Sequence, residues 1–512
     1  MYILSIDLGT SGLKVALVGE SGELAATAIR SVRTQMLPPD GAEQDANEIW
    51  AAVVSAARQV LRAAGGAVDT VAGISCDSQY FSIVPVDRDV RPTMNLILWM
   101  DHRGLPESQK IYARHPEAFE TWVDIHGMIP LPTGTDSLSH ILYVQEQCPQ
   151  VHARTYKYLE PVDFIIAKLT GSCSANICTA FPLLLTDNRD LDRCEYAPRL
   201  IDLSGVDASK LPELRPANAR AGTLRAEVAA ELGLPVSTPV FAGMNDTQAV
   251  GIGTGTFRGT HGAINLGTTS QVLAHIGAKK SDLINALVSM PSPLAGRHMV
   301  MAENGLGGQP LDHFLRNIAF ATDALADHAA TDPFAGVEDA VHSVAPGSDG
   351  LLFLPWLTGA QAPESNPMVR GGFLNLSLHT TRAHMVRAIL EGVAFNMRWV
   401  LPAVESFAEQ RFDELLFSGG GAGSDAWSQI MADVTGKPVA QLADARYVNN
   451  RATAFLAFVE LGVLALDDID KLCRIKRRYA PRPEHRDRYD SMFAQFVAAF
   501  EQNRPIFEAL NG

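Results

Sequence analysis

Ile6-Asp7-Leu8-Gly9-Thr10-Ser11 recurs half a chain later as Ile264-Asn265-Leu266-Gly267-Thr268-Thr269-Ser270. The first copy lies between two short apolar runs, Tyr2-Ile3-Leu4-Ser5-Ile6 and Leu13-Lys14-Val15-Ala16-Leu17-Val18. Two strand-like runs around a glycine-punctuated loop read as a β-hairpin. The echo predicts a duplicated chain whose halves each present one Gly-Thr hairpin. Two such hairpins facing across a cleft can hold the two ends of a polyphosphate, since backbone N–H groups and hydroxyls make anion-binding concavities.

Outward from this hairpin the chain alternates strands and helices. Residues 45–64 read as a helix, with Asp45 placed to cap it and Glu48 three residues on. Ile49, Val53, Ala57, Val60 and Leu61 share one face, and Gly65-Gly66 ends it. Val71-Ala72-Gly73-Ile74-Ser75 and Ser82-Ile83-Val84-Pro85-Val86 read as buried strands. This alternation points to an α/β fold. A further helix is predicted from Thr381 to Val400, with Met385, Ile389, Val393 and Ala394 as its apolar stripe and Glu391 in a structural role.

The 512 residues suggest two to four domains. An apolar fraction of 47% excludes a disordered chain, and a formal charge of −15 argues against nucleic acid or an anionic membrane as partner. No stretch approaches the ~18 apolar residues of a membrane span. The N-terminus lacks a basic stretch and meets an acid at Asp7, so it does not read as a signal peptide. The six cysteines, Cys76, Cys148, Cys173, Cys178, Cys194 and Cys473, form no Cys-x-x-Cys pair. Reduced thiols and a cytoplasmic location are expected.

Four segments carry candidate chemistry. In the loop Asp7 to Gly12, Thr10 and Ser11 can donate to phosphate oxygens and Asp7 can hold a hydrated Mg²⁺; the plain alternative is an ordinary turn. Gly243-Met244-Asn245-Asp246-Thr247-Gln248 places Asp246 at a helix start, as a general base or merely as a cap. Leu415 to Asp425 is strand, glycine turn, helix. Its Gly421-x-Gly423-x-x-Ala426 fits a relaxed dinucleotide fingerprint, with Asp444 near the expected acid; a flat platform for an adenine ring fits equally. Trp99-Met100-Asp101-His102-Arg103 sets an aromatic beside an acid and a base, which suits a sugar; the plain alternative is a partly buried Trp with a surface ion pair.

In order along the chain, these segments resemble the FGGY carbohydrate kinases over residues 1–465. Ile6 to Ser11 and Gly267 to Ser270 match that family's two phosphate loops. Glu43-Gln44-Asp45 with Trp50, and Trp99 to Arg103, match its early segments. Asn245-Asp246-Thr247-Gln248-Ala249 occupies the place of its catalytic aspartate. Ser418-Gly419-Gly420-Gly421-Ala422 matches its adenosine motif, and Pro355 to Gly359 with His384 to Glu391 its C-terminal signature. The resemblance implies two ribonuclease-H-like (actin/Hsp70-like ATPase) domains with a catalytic cleft between them, and it removes the dinucleotide reading. It divides the chain into an N-terminal kinase domain over 1–250, a C-terminal one over 251–465 and a helical extension over 466–512.

The resemblance also implies ATP and Mg²⁺, with transfer of the γ-phosphoryl to a sugar hydroxyl. Asp246 would be the base, and Asp7 would orient Mg²⁺ through water. Thr10, Ser11, Gly267, Thr268 and Gly308 would lie at the phosphates; Gly420, Gly421, Ala422 and Asp425 at the adenosine. Gln79, Tyr80, Trp99, Asp101, Asn245 and Asp246 would meet the sugar. Within the family the look is closest to xylulokinases, so D-xylulose is the expected substrate, with another ketose, a deoxysugar or a polyol as alternatives. A nucleotide-dependent sugar-binding protein on the same fold is the non-kinase alternative, and a homodimer is compatible with the sequence. Departures are visible. Tyr80 and Phe81 replace the usual Met-His of xylulokinases, Asn375 stands where glycine is usual, and His140 and Tyr143 replace a Lys and a Trp.

Overall fold

The computed structural model describes residues 1–512 except 66–69, 218–219, 258–259 and 326–329. Gly66, expected to end the first helix, lies outside the described residues.

Two sheets repeat one topology. In the first, Tyr2–Leu8 pairs antiparallel with Gly12–Gly19, which pairs antiparallel with Leu24–Ser31. On its other side Tyr2–Leu8 runs parallel to Val71–Ser78, which runs parallel to Pro239–Phe241. In the second, His261–Leu266 pairs antiparallel with Thr269–Ile276, which pairs antiparallel with His298–Leu306. His261–Leu266 also runs parallel to Glu414–Ser418, which runs parallel to Val439–Leu442. In each half the Gly-Thr loop joins the central strand to its antiparallel neighbour. The sequence echo is thus a structural duplication of the ribonuclease-H-like kind.

Each sheet buries its faces under amphipathic helices. The helix Ala46–Ala63 lays Ile49, Val53, Val60 and Leu61 on the first sheet; Asp45 caps it by accepting from Asn47 N at 2.8 Å. The helix Arg382–Ala408 runs a full two turns past the expected end, through Pro402, and covers the second sheet with Ile389, Val393 and Phe395. Its Glu391 is fully buried, held by Arg387 at 2.7 Å and Tyr489 at 2.8 Å, as the structural reading required. A third core around Trp122, Ile141 and Leu184 belongs to a mainly helical insertion after Val71–Ser78. Asn375 has φ +67°, which explains the glycine expected there: Asn is among the few other residues that tolerate this region.

Two segments cross the expected divisions. The helix Val448–Glu460 packs on the first sheet, where Asn450 donates to Ser5 Oγ at 3.1 Å and Ser5 and Thr453 hydroxyls meet at 2.8 Å. Residues 466–512 are not only helical. Ile475–Tyr479 is an edge strand of the second sheet, and the helix Arg486–Asn511 buries Tyr489, Phe496 and Phe500 against Phe395, Trp356 and Trp399. An apolar face long enough to bury this way makes the segment part of the second core rather than an appendage.

Candidate active site

Strand register gathers the acidic groups. Lys14 stands opposite Asp7 in the antiparallel ladder, and Asp77 stands opposite Asp7 in the parallel one. Met244–Asn245 then pairs beside Asp77 and Ser78, so the chain delivers Asp246 to the head of the helix Asp246–Gly253 at the same sheet edge. Lys14 donates to Asp7 Oδ2. Asp77 is fully buried and accepts from Asn449 at 3.1 Å; its Oδ2 finds no partner among the described residues.

The electrostatics follow from that crowding. Burial first, and the Asp7 charge second, push Asp246 up to about 7. The same two causes hold Asp77 well above the usual carboxylate range. Burial opposes the charge on Lys14, but Asp7, Asp77 and Asp246 together raise its pKa. Glu303, on His298–Leu306 of the second sheet, is pushed up to about 6 by burial and is hydrogen-bonded to Thr269. Its charge reaches both Asp246 and Tyr80, so the two halves meet here.

The first loop is tied to the sugar segment. Thr10 Oγ1 donates to Gln79 Oε1 at 2.6 Å and accepts from Trp99 Nε1 at 3.1 Å. Thr10 therefore has no hydroxyl proton left for a phosphate, whereas Ser11 beside it is exposed. Tyr80 crosses between the halves: its hydroxyl donates to Met301 Sδ at 3.0 Å and accepts from Thr247 at 3.2 Å.

In the second half, Gly308 N donates to Gly267 O at 2.7 Å and Gly307 N to Thr268 O at 2.9 Å, clasping the second loop. Thr268 is exposed. Gly419 has φ +85°, and a Cβ there would lie 2.6 Å from Leu266 O, so the glycine turn abuts the second loop. Gly420 is exposed, while Gly421 is buried against Leu266 and Ala422 is in the core. Asp425 holds Gln441 at 2.9 Å and Lys476 at 2.7 Å. Asp444, the acid of the dinucleotide reading, pairs instead with Arg451 at 2.8 Å.

One expected sugar contact, Asp101, is taken up by the protein itself. Asp101 is fully buried; its carboxylate takes Arg103 Nη2 at 2.7 Å and Ala42 N at 2.8 Å, and Arg103 goes on to Glu43 at 2.6 Å. An acid sealed in this way braces the segment bearing Trp99 rather than meeting a substrate. His140 accepts its place there, with Nε2 2.9 Å from Asp101 O, and Tyr143 lies under Arg103. Asn245 is also fully buried; its Nδ2 donates to Cys178 O at 3.0 Å, while its Oδ1 finds no partner among the described residues. Lys14, Asp77 and Glu303 escaped the sequence reading. A lone lysine inside an apolar strand was the available signal for the first.

The carboxylates fit a hydrated Mg²⁺, which takes one or two carboxylates with waters and substrate phosphates. Among the described residues no three metal-ligating side chains form a protein-only cage. No helix there is long and apolar enough to cross a membrane.

Two glycine loops from duplicated sheets, converging with a half-buried carboxylate, define a two-domain phosphotransferase of the actin/Hsp70-like kind. The chain matches the FGGY family of carbohydrate kinases, N-terminal domain, over residues 2–253, and the C-terminal domain over 262–448. It belongs to that family, and so is a sugar kinase that uses ATP. A xylulose kinase of Lactococcus lactis is 28% identical over 99% of this chain and 98% of its own. A gluconokinase of Bacillus licheniformis is 26% identical over 97% and 95%. The solved xylulose kinase of Rhodospirillum rubrum shares the fold, with a TM-score of 0.84 at 24% identity over 99% and 100% of the two chains.

Proposed function

We propose that this kinase phosphorylates D-xylulose to D-xylulose 5-phosphate, with Asp246 as its general base. The carrying observation is Asp246 itself: a carboxylate at a helix head on the cleft, with its pKa raised to about 7. Such a group accepts a proton near neutral pH, where a base contributes roughly 10²–10⁴-fold. The sugar oxygen attacks the γ-phosphorus as the bond to the β-bridging oxygen breaks. ADP leaves, and the hydroxyl proton passes to Asp246. Positioning carries most of the rest. Ser11, the Thr10 main chain, Gly267, Thr268 and Gly308 bracket the phosphates, and Gly420, Gly421, Ala422 and Asp425 border the adenosine. When bound, Mg²⁺ supplies charge neutralisation, and Asp7 is the residue to orient it through water. Gln79, Tyr80 and Trp99 wall the sugar.

The charge balance favours a neutral ketose over an aldonate. Asp7, Asp77, Asp246 and Glu303 act on this cleft, and its Lys14 is already paired. A substrate carboxylate would add like charge. Gluconate remains the second reading because a gluconokinase is among the relatives. ADP release from ATP–Mg²⁺ tests both, across D-xylulose, other ketoses, deoxysugars, polyols and D-gluconate, with a no-sugar blank. D-xylulose should give the largest kcat/KM. A larger value for gluconate would replace the assignment, and blank-level rates with every sugar would end the kinase reading.

A further inference from the structure

Gln44 ends the strand Gly41–Gln44 and is fully buried, one residue before the cap of the first helix. A buried primary amide must satisfy its donors and acceptor internally. Gln44 Nε2 donates to Thr10 O at 2.7 Å and to Thr34 Oγ1 at 3.1 Å. Its Oε1 accepts from Gln79 Nε2 at 3.1 Å. Gln79 Oε1 in turn accepts from Thr10 Oγ1 at 2.6 Å. The three residues therefore close a ring of hydrogen bonds, from Thr10 main chain through Gln44 and Gln79 back to the Thr10 hydroxyl. Trp99 enters the ring at that hydroxyl. Gln44 is also opposite Leu96, on the strand that leads to Trp99.

We propose that Gln44 is a positioning residue that makes the first phosphate loop and the sugar wall one rigid unit. It touches neither substrate. It fixes the Thr10 carbonyl, and so the direction of the loop amides, in the same ring that fixes the Gln79 and Trp99 side chains. Sugar and phosphate are thereby held in one frame, and phosphoryl goes to the sugar rather than to water. This role rests on the loop and sugar assignments of the proposed function.

The test uses three variants of the full chain, assayed at a temperature where circular dichroism shows each folded. Gln44→Met keeps the volume and opens the ring, leaving only the Thr10–Gln79 and Trp99–Thr10 bonds. Gln44→Glu keeps an acceptor for Gln79 but loses the donors to Thr10, and it carries the test if Gln44→Met does not fold. Thr34→Val removes only the bond that does not reach the loop. Both Gln44 variants should lose about 10–100-fold in sugar-dependent kcat, the scale of a small misplacement, with KM for ATP little changed. Their ratio of sugar-dependent turnover to sugar-independent ATP hydrolysis should fall in step, a readout that a purely structural role would not move. Thr34→Val should keep the parental kcat and ratio. A folded Gln44 variant with parental kcat and ratio overturns the positioning role while leaving the sugar-kinase reading intact. So does a Thr34→Val loss equal to that of Gln44→Met. A parent chain inert toward every sugar overturns both.

Discussion

Lys14 faces Asp7 across the antiparallel ladder and donates to its Oδ2, which sets an ammonium among Asp7, Asp77 and Asp246. Its charge lowers the Asp246 pKa against burial and Asp7, which raise it. Lys14→Met should therefore move the acid limb of kcat/KM to higher pH and reduce turnover at neutral pH. A base whose pKa rises by one loses about tenfold of its ionised form at any pH below that pKa. A pH–rate profile checks this, and an unmoved limb would separate Lys14 from the base.

The pKa of Asp246 also predicts a stability signature in the ligand-free protein. The unfolded carboxyl ionises near 3.8, whereas the folded one holds its proton to about 7. Proton binding therefore favours the folded state below the unfolded value, and that contribution is lost as pH rises through about 7. The Tm of the parent chain should fall relative to Asp246→Asn between about pH 4 and 7 and run level above it. Parallel Tm curves across that window would contradict the raised pKa.

Asp101→Asn should act on stability rather than on sugar binding. It removes the buried charge that Arg103 holds at 2.7 Å, while Arg103 keeps Glu43 at 2.6 Å, so the loss is that of a charge-assisted hydrogen bond, about 1.5–3 kcal/mol. Urea unfolding should show that loss, with KM for sugar unchanged in the folded protein. A raised KM with parental stability would return Asp101 to the sugar.

Gly419→Ala places a Cβ 2.6 Å from Leu266 O at a φ of +85°. The glycine turn must then pull away from the second loop. KM for ATP should rise about tenfold, since the strain is worth roughly 1–3 kcal/mol, while binding of sugar alone is unaffected by thermal shift. Unchanged KM for ATP would place the nucleotide elsewhere.

The sequence carried the frame well because its signals were local. The Gly-Thr echo marked both hairpins, Asp45 marked the first helix start, and the run at 243–248 marked Asp246. The rest depended on register. Asp77 closes a strand that read as ending at Ser75, and only parallel pairing with Tyr2–Leu8 sets it beside Asp7. Glu303 lies in a strand without a motif and matters because the halves meet there. Asp101 reads as a sugar contact for a related reason. A polar residue within a motif looks the same whether it faces a ligand or, as here, a half-buried arginine. The edge strand Ile475–Tyr479 was hidden by its charge, since its outer residues Lys476, Arg477 and Arg478 face solvent.

The most direct measurement is the turnover of Asp246→Asn beside its binding of ATP and D-xylulose. The account predicts sugar phosphorylation down by at least about 10²-fold, with both ligands still raising the Tm. A variant that binds both and retains near-parental turnover would contradict it.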